Sequence, residues 1–156
     1  MATSDSARFD LLPVWAKLND VLVEPVDFVP DEHMQWSPKP KLWTFHHLFQ
    51  HLCEAREQWM QRAIADGAPN IDVYANVHTK DDLKSAFRDT WDRIERVFSD
   101  QSRLDATYKD LWWKEAPLRD GHLVAFHLLE HDIHHRADIF LYLALLGFEI
   151  PQVWVP

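Results

Sequence analysis

The sequence predicts an all-α protein, a four-helix bundle with long connections. Three observations lead there. Only three glycines occur in 156 residues, where average usage of about 7% would give roughly eleven, and a β-sandwich or barrel needs them for its many tight turns. Apolar residues recur at the spacing of one helical face, and no segment carries the period-two alternation of a strand. The apolar share of 47% and charged share of 26% belong to an ordinary globular chain able to bury a core. The length suits one domain spanning residues 1–156.

The elements follow in order. A first helix is expected from Phe9 to Val23, where Leu11, Leu12, Trp15, Leu18, Val21 and Leu22 share a face. Pro25 and Pro30 should end it, and Ser37-Pro38-Lys39-Pro40 prolongs the break. A second helix is expected from about Leu42 to Asp66, with Gly67 as C-cap and Pro69 beyond. A third begins near Thr79, where Thr79 and Asp82 have the spacing of a capping box, and buries Leu83, Phe87, Trp91, Ile94 and Phe98. Ser99 to Asp120 reads as a connection carrying Trp112, Trp113 and Pro117. The last helix should run from about Asp120 to Leu146, capped by Gly147 and followed by Pro151. Connections of roughly 13–20 residues exceed the usual 2–8 of bundles. Those holding Trp36, Tyr74, Trp112 and Trp113 are therefore expected to cover one end of the bundle, a place where function often sits.

Charge and length remove several functions. Lys plus Arg number 16 against 25 Asp plus Glu, a net charge of −9 that gives no basic footprint for nucleic acid. The apolar run Ile139 to Phe148 is too short for a bilayer, which takes about 20 residues. The opening MATSDSARFDLLPVW lacks the basic and apolar regions of a signal peptide, so a cytoplasmic protein with no membrane partner is expected. Cys53 is the single cysteine, which rules out an internal disulfide and a cysteine-based zinc ribbon. The last helix is apolar around most of its circumference, which predicts a homodimer through that helix.

Histidine carries the chemistry. Most of the ten histidines fall in two short segments, His46-His47-x3-His51 and His127-x3-His131-x2-His134-His135. Residues four apart on a helix stand one turn above each other and can present two imidazoles to one ion. His47/His51, His127/His131 and His131/His135 have that spacing. From His131, at 100° per residue, Asp138, Tyr142, His135, His127 and His134 all lie within about 60°, a polar stripe on an otherwise apolar helix. Burying such a stripe costs free energy unless something satisfies it, and a divalent ion would. One pair supplies two ligands and a facing helix must supply the third. Three histidines with open positions make a catalytic type of site, because structural zinc is normally closed by four protein ligands. The bland alternative is a hydrogen-bonded histidine cluster or a pH-sensitive interface.

Other residues are assigned by contrast. His33, His46, His78 and His122 are expected at the surface or in loops, and Trp43, Phe45, Phe49 and Trp59 in the core. Arg136 is expected to pair with Asp132 or Glu130, and Cys53 faces away from His51. His131-Asp132-x2-His135 imitates the zinc-peptidase motif, but Asp is one methylene shorter than Glu and no further ligand of that pattern follows. The di-iron bundle pattern is missing too, since the chain contains no Glu-x-x-His.

The segment H131-D-I-H-H-R-A-D-I-F-L-Y-L-A-L-L-G147 resembles the C-terminal helix of the DinB/YfiT-like superfamily, whose usual form is His-Glu-x-x-His-Arg-Gly-Gln leading to Leu-Leu-Gly. W36-S-P-K-P-K-L-W-T-F-H-H-L-F-Q-H51-L resembles the same family's second helix, which holds a single metal-ligating histidine. Order, spacing and length match over nearly the whole chain. The resemblance implies a four-helix bundle, often homodimeric, with nickel or zinc on ligands that fall here on His51, His131 and His135. It departs from the pattern at Asp132, at Ala137-Asp138, and in the extra His47 and His127. Asp138 is then a fourth ligand or a carboxylate that orients a ligand histidine.

Members of that superfamily include thiol S-transferases and a thiol-dependent isomerase. The expectation is therefore a metal-dependent enzyme that transfers a low-molecular-weight thiol to a small electrophile, or a hydrolase, with Asp138 or His127 as base or orienting group. No basic pocket for the carboxylates of such a thiol is legible in the sequence. The rival is a non-catalytic dimeric helical protein whose metal or histidine cluster stabilises the bundle or senses metal or stress.

Overall fold

A computed structural model of the protein describes residues 11–64, 74–110 and 115–152. Helix α1 spans Leu12–Phe28, α2 Asp31–Met34 and α3 Phe45–Trp59, which runs on into a wider π-turn, Met60–Ile64. Helix α4 spans Lys80–Phe98 and α5 Gln101–Asp105; strands β1 (Thr107–Tyr108) and β2 (Arg119–Asp120) follow, then α6, Gly121–Leu146. The helical fold class is borne out. Helix α3 packs against α4 and α6, and α1 packs against the same two.

The helix ends show why these segments fold as they do. Thr79 accepts from the Asp82 backbone while the Asp82 carboxylate accepts from the Thr79 backbone, the reciprocal capping box that the sequence spells. Asp120 caps α6 by accepting from Leu123, and Gly147 ends it in the left-handed conformation at φ 77°. Thr44 caps α3 through the His47 amide, so that helix starts three residues later than Leu42. Gly67 and Pro69 lie outside the described residues, as do Phe9, Trp112 and Trp113.

Some expectations need correcting. Pro25 does not end α1 but sits buried inside it, three residues before the last, and its carbonyl accepts from Val29. The connection from Ser99 to Asp120 contains α5 and an antiparallel pair, Thr107 opposite Asp120 and Tyr108 opposite Arg119. Two-residue strands are too short to show alternation. Gly121 opens α6 against α5, where a Cβ would come within 2.2 Å of the Arg103 carbonyl oxygen and 2.7 Å of the Leu104 Cα. That close approach explains a glycine at a helix start.

The core is two apolar halves with a polar layer between. One half gathers Leu22, Val26, Phe45, Phe49, Phe87 and Ile139; the other gathers Trp15, Leu18, Met60, Ile94, Val124 and Leu128. Between them each long helix contributes one buried polar residue: Asn19, Arg56, Thr90 and Asp132. Arg56 donates through Nη2 to Asp132 Oδ2 at 2.7 Å and through Nε to both carboxylate oxygens at 3.2 Å. Its Nη1 donates to Asn19 Oδ1 at 2.9 Å and to Thr90 Oγ1 at 3.4 Å. Trp15 Nε1 adds a 2.7 Å bond to Asp132 Oδ2. Asp132 therefore pairs with Arg56 rather than Arg136, whose guanidinium lies 5.9 Å from the Phe140 ring centre. Reading α6 alone hides this, because the partner is 76 residues away.

Helix α6 keeps an apolar outer face, with Leu123, Phe126, Ile133, Leu141 and Leu145 exposed. No helix among the described residues is long and apolar enough to cross a membrane.

Asp132→Leu should lower stability by about 3–5 kcal/mol, because the Arg56 charge stays buried without its carboxylate. The double variant Arg56→Leu/Asp132→Leu should recover much of that loss in urea unfolding; a double variant no more stable than the single one would contradict the assignment.

Candidate metal centre

His51 on α3 faces His131 and His135 on α6, and one nitrogen from each lies within 4.8 Å of the others. His51 Nε2 and His131 Nε2 are 3.1 Å apart. Two nitrogens each about 2.0–2.1 Å from one tetrahedral ion stand about 3.3 Å apart, so the spacing is that of neighbouring ligands. The ring centres lie 4.6 to 5.1 Å from one another. This group could hold a metal ion, and it unites the three residues expected to act together. A second group, His134, His135 and Asp138, shares His135 but has His134 exposed.

His135 Nδ1 lies 3.0 Å from Asp138 Oδ2. When Nδ1 carries the proton and donates to that carboxylate, Nε2 is left with a lone pair for a cation, the arrangement that orients metal-binding histidines. Asp138 thus contacts His135 instead of joining the cluster of three. Among the described residues, His131 Nδ1 is buried without a hydrogen-bond partner. A buried orphan of this kind costs about 1–3 kcal/mol, so the ring must be compensated from its other nitrogen.

The donor chemistry fits a divalent ion. Burial, reinforced by the neighbouring His135 and His47, pushes His51 down to about 4. Burial, with His135 and His51 close by, pushes His131 down to about 3. His135 is also lowered by burial, with Asp138 opposing. All three rings are therefore neutral at physiological pH with lone pairs available, as metal ligation requires.

Two expectations fail here, for Trp43 and His46, while Trp59 packs against the second apolar half. Trp43 is not core: it is 42% exposed and lies over the cluster, 4.5 Å from the His51 ring and 5.8 Å from the His135 ring. Its backbone carbonyl accepts from Tyr142 Oη at 3.0 Å, which pins the segment before α3 to α6. His46 is not at the surface but 9% exposed, with Nε2 unpartnered. Trp59 is half-buried beside His127, at 4.3 Å.

His47 packs on Trp43 at 4.8 Å and His127 on Trp59, and neither joins the three converging histidines. His127 Nδ1 is 3.8 Å from Glu130. Cys53 is fully buried, and burial pushes its thiol up to about 12, so it offers no thiolate. A cavity of about 730 Å³ lies elsewhere, between Trp15, Phe98, Leu104 and Leu129. Apolar walls of that kind supply no metal ligands.

Comparison with known proteins bears on the fold and the family. No curated protein matches the sequence. Among solved structures the chain is similar to a DinB-like protein from Bacillus cereus, at TM-score 0.75 and 16% identity, over 92% of this chain and 95% of that one. It is similar also to a DinB-like protein from Bacillus subtilis, at TM-score 0.71 and 17% identity, over 92% of this chain and 96% of that one. Identities this low carry the fold alone. The family model described as the DinB family matches residues 1–156, and the chain belongs to that family.

Proposed function

We propose that this protein is a metal-dependent enzyme in which His51, His131 and His135 hold a zinc or nickel ion. One observation carries the reading: three neutral imidazoles from two helices converge, with Nε2 atoms 3.1 Å apart and one ring oriented by a carboxylate. Imidazole donors suit both metals. When bound, such an ion acts as a Lewis acid that makes a thiol or water acidic near neutral pH. Transfer of a low-molecular-weight thiol to a small electrophile is the favoured reaction, and hydrolysis the second.

The chain's own residues have distinct parts. Asp138 is a positioning residue that holds the His135 ring through Nδ1. Trp43 covers one side of the cluster and keeps water from it. His127, one turn from His131 and lowered by burial, is neutral and able to accept a proton. Asp138 is already engaged with His135, which supports an open coordination position rather than a closed structural site. The rival is a non-catalytic dimeric protein whose metal or histidine cluster stabilises the bundle or senses metal or stress, and a metal closed by four protein ligands would favour it. The exposed Ile133, Leu141 and Leu145 support pairing of two copies through α6. We take the chain to be one cytoplasmic domain.

Elemental analysis should find about one metal ion per chain in the wild type and almost none in His131→Ala; equally low metal in both sinks the proposal. Asp138→Asn should weaken metal affinity about 10–100-fold. X-ray absorption showing four protein ligands would decide for the rival. Leu141→Glu should shift the protein to monomer in analytical ultracentrifugation, whereas an unchanged mass removes α6 as the interface. The metal-free protein should lose stability as pH falls. His51 and His131 titrate at 6.5 when unfolded but at about 4 and about 3 when folded. The unfolded state thus binds more protons below pH 6.5, and the stability present above it drains away towards pH 4. Thermal melts of His131→Phe should show a shallower decline, and an equally steep one would contradict the burial of that ring.

A further inference from the structure

Beside the three converging histidines stands a second group of donors, His134, His135 and Asp138, with one ligand atom from each within 4.8 Å of the others. His135 Nδ1 is 3.0 Å from Asp138 Oδ2, and His134 Nε2 is 3.9 Å from the same oxygen. The His134 and His135 ring centres are 4.8 Å apart. Ligands about 2.0–2.2 Å from one tetrahedral ion stand about 3.3–3.6 Å from each other, so the two donor separations bracket that of neighbouring ligands. All three residues belong to α6, so closing the group on an ion takes side-chain rotation alone. Exposure is graded across the group: His134 is exposed, Asp138 half-buried and His135 buried. Arg136, the nearest cation in sequence, is about 200° round the helix from His134 and lies against the Phe140 ring.

His135 belongs to both groups, and a neutral imidazole carries one proton and one ring lone pair. With the proton on Nδ1, Asp138 accepts it and Nε2 is the donor to a cation. With the proton on Nε2, Nδ1 becomes the donor, beside His134 and Asp138. The two groups therefore draw on one lone pair in turn. We propose that His134, Asp138 and Nδ1 of His135 form a second, solvent-facing site for a divalent transition-metal cation, a capture site from which the ion passes to His51, His131 and His135. Two imidazoles and a carboxylate suit zinc, cobalt or nickel, whereas magnesium and calcium take mainly oxygen ligands. The net charge of −9 favours the approach of a cation, and the graded exposure orders its contacts, His134 first and His135 last. On capture the ion holds Nδ1 while the ring proton sits on Nε2. On transfer the ion moves to Nε2 and a proton returns to Nδ1, so the ring gains and loses none overall. The capture site stands on its own geometry; the onward passage rests on the metal reading of the three histidines.

Two measurements separate them. In metal-free His51→Ala/His131→Ala protein, which keeps every residue of the capture group, zinc should shift the His134 Nε2 and His135 Nδ1 resonances in long-range proton–nitrogen NMR of the imidazoles. Circular dichroism checks the fold, and His131→Phe alone takes its place if the double variant unfolds. Adding His134→Ala, a change at an exposed position, should weaken that binding at least about tenfold, the lower end of what even an outer partner of a metal ligand is worth. Magnesium should move neither nitrogen. In the otherwise unaltered chain, His134→Ala should slow cobalt uptake and release alike by about tenfold and keep the dissociation constant within about twofold, since removing a station on the route changes both rates and not their ratio. Zinc that moves neither nitrogen in a folded variant overturns the capture site, as does binding that survives His134→Ala. Cobalt uptake at the same rate with and without His134 overturns the passage. A wild-type chain that takes up no cobalt tightly, beside an intact zinc response at His134 and His135, overturns the metal reading of the three histidines and leaves the capture site standing.

Discussion

The buried Arg56–Asp132 pair is the contact on which the arrangement of helices depends. Both side chains are almost wholly withdrawn from water, at 0% and 1% exposure. Taking two such charges out of water is expensive, and their attraction repays it only with good geometry and satisfied remaining groups. The structure meets that condition with Asn19, Thr90 and Trp15, so α1, α3, α4 and α6 all contribute to one network. A slip of α3 against α6 by one turn would separate guanidinium from carboxylate by about 5 Å. The two apolar half-cores have no comparable preference, because Leu, Phe and Ile tolerate repacking far better than a charge tolerates losing its partner. Register is therefore fixed by the polar layer, and the apolar halves supply the bulk of the burial.

That register has a direct consequence for the histidines. Asp132 lies between His131 and His135 in sequence, and Arg56 follows His51 by five residues. Once guanidinium meets carboxylate, His51 is brought to the level of the two imidazoles on α6, at the edge of the same layer. Their half-buried position accounts for their electrostatics. Burial keeps the His51 and His131 rings neutral and the neighbouring rings oppose protonation further, while at His135 burial outweighs the opposing Asp138. Asp138 and the Trp43–Tyr142 contact then set ring orientation and cover.

The sequence made some of this legible and withheld the rest for physical reasons. Local signals translated well: the Thr79–Asp82 box, the Asp120 cap and Gly147 depend on residues within four positions of each other. Histidine spacing was legible for the same reason, since His131 and His135 share one helix. Pro25 misled because a proline costs a helix one hydrogen bond, a loss that its buried position against the first half-core outweighs. Asp132 misled because its partner comes from another helix, and the polar stripe on α6 suggested a role among the histidines instead. Trp43 misled because tryptophan is most often buried, and only the Thr44 cap shows that Trp43 falls before the helix on the His47/His51 face.

The same separation of parts bears on whether the histidines serve stability or chemistry. A structural metal earns its place where the chain has no other means of holding two segments together, as in small domains with thin cores. Here α3 and α6 are already locked by the buried ion pair and by both half-cores. Three desolvated imidazoles, one with an orphaned nitrogen, add cost to that lock without adding to register. His51 and His131 are half-buried and His135 is buried at the edge of the layer, under the exposed Trp43 indole. The fold can therefore hold the three histidines together without relying on them for register.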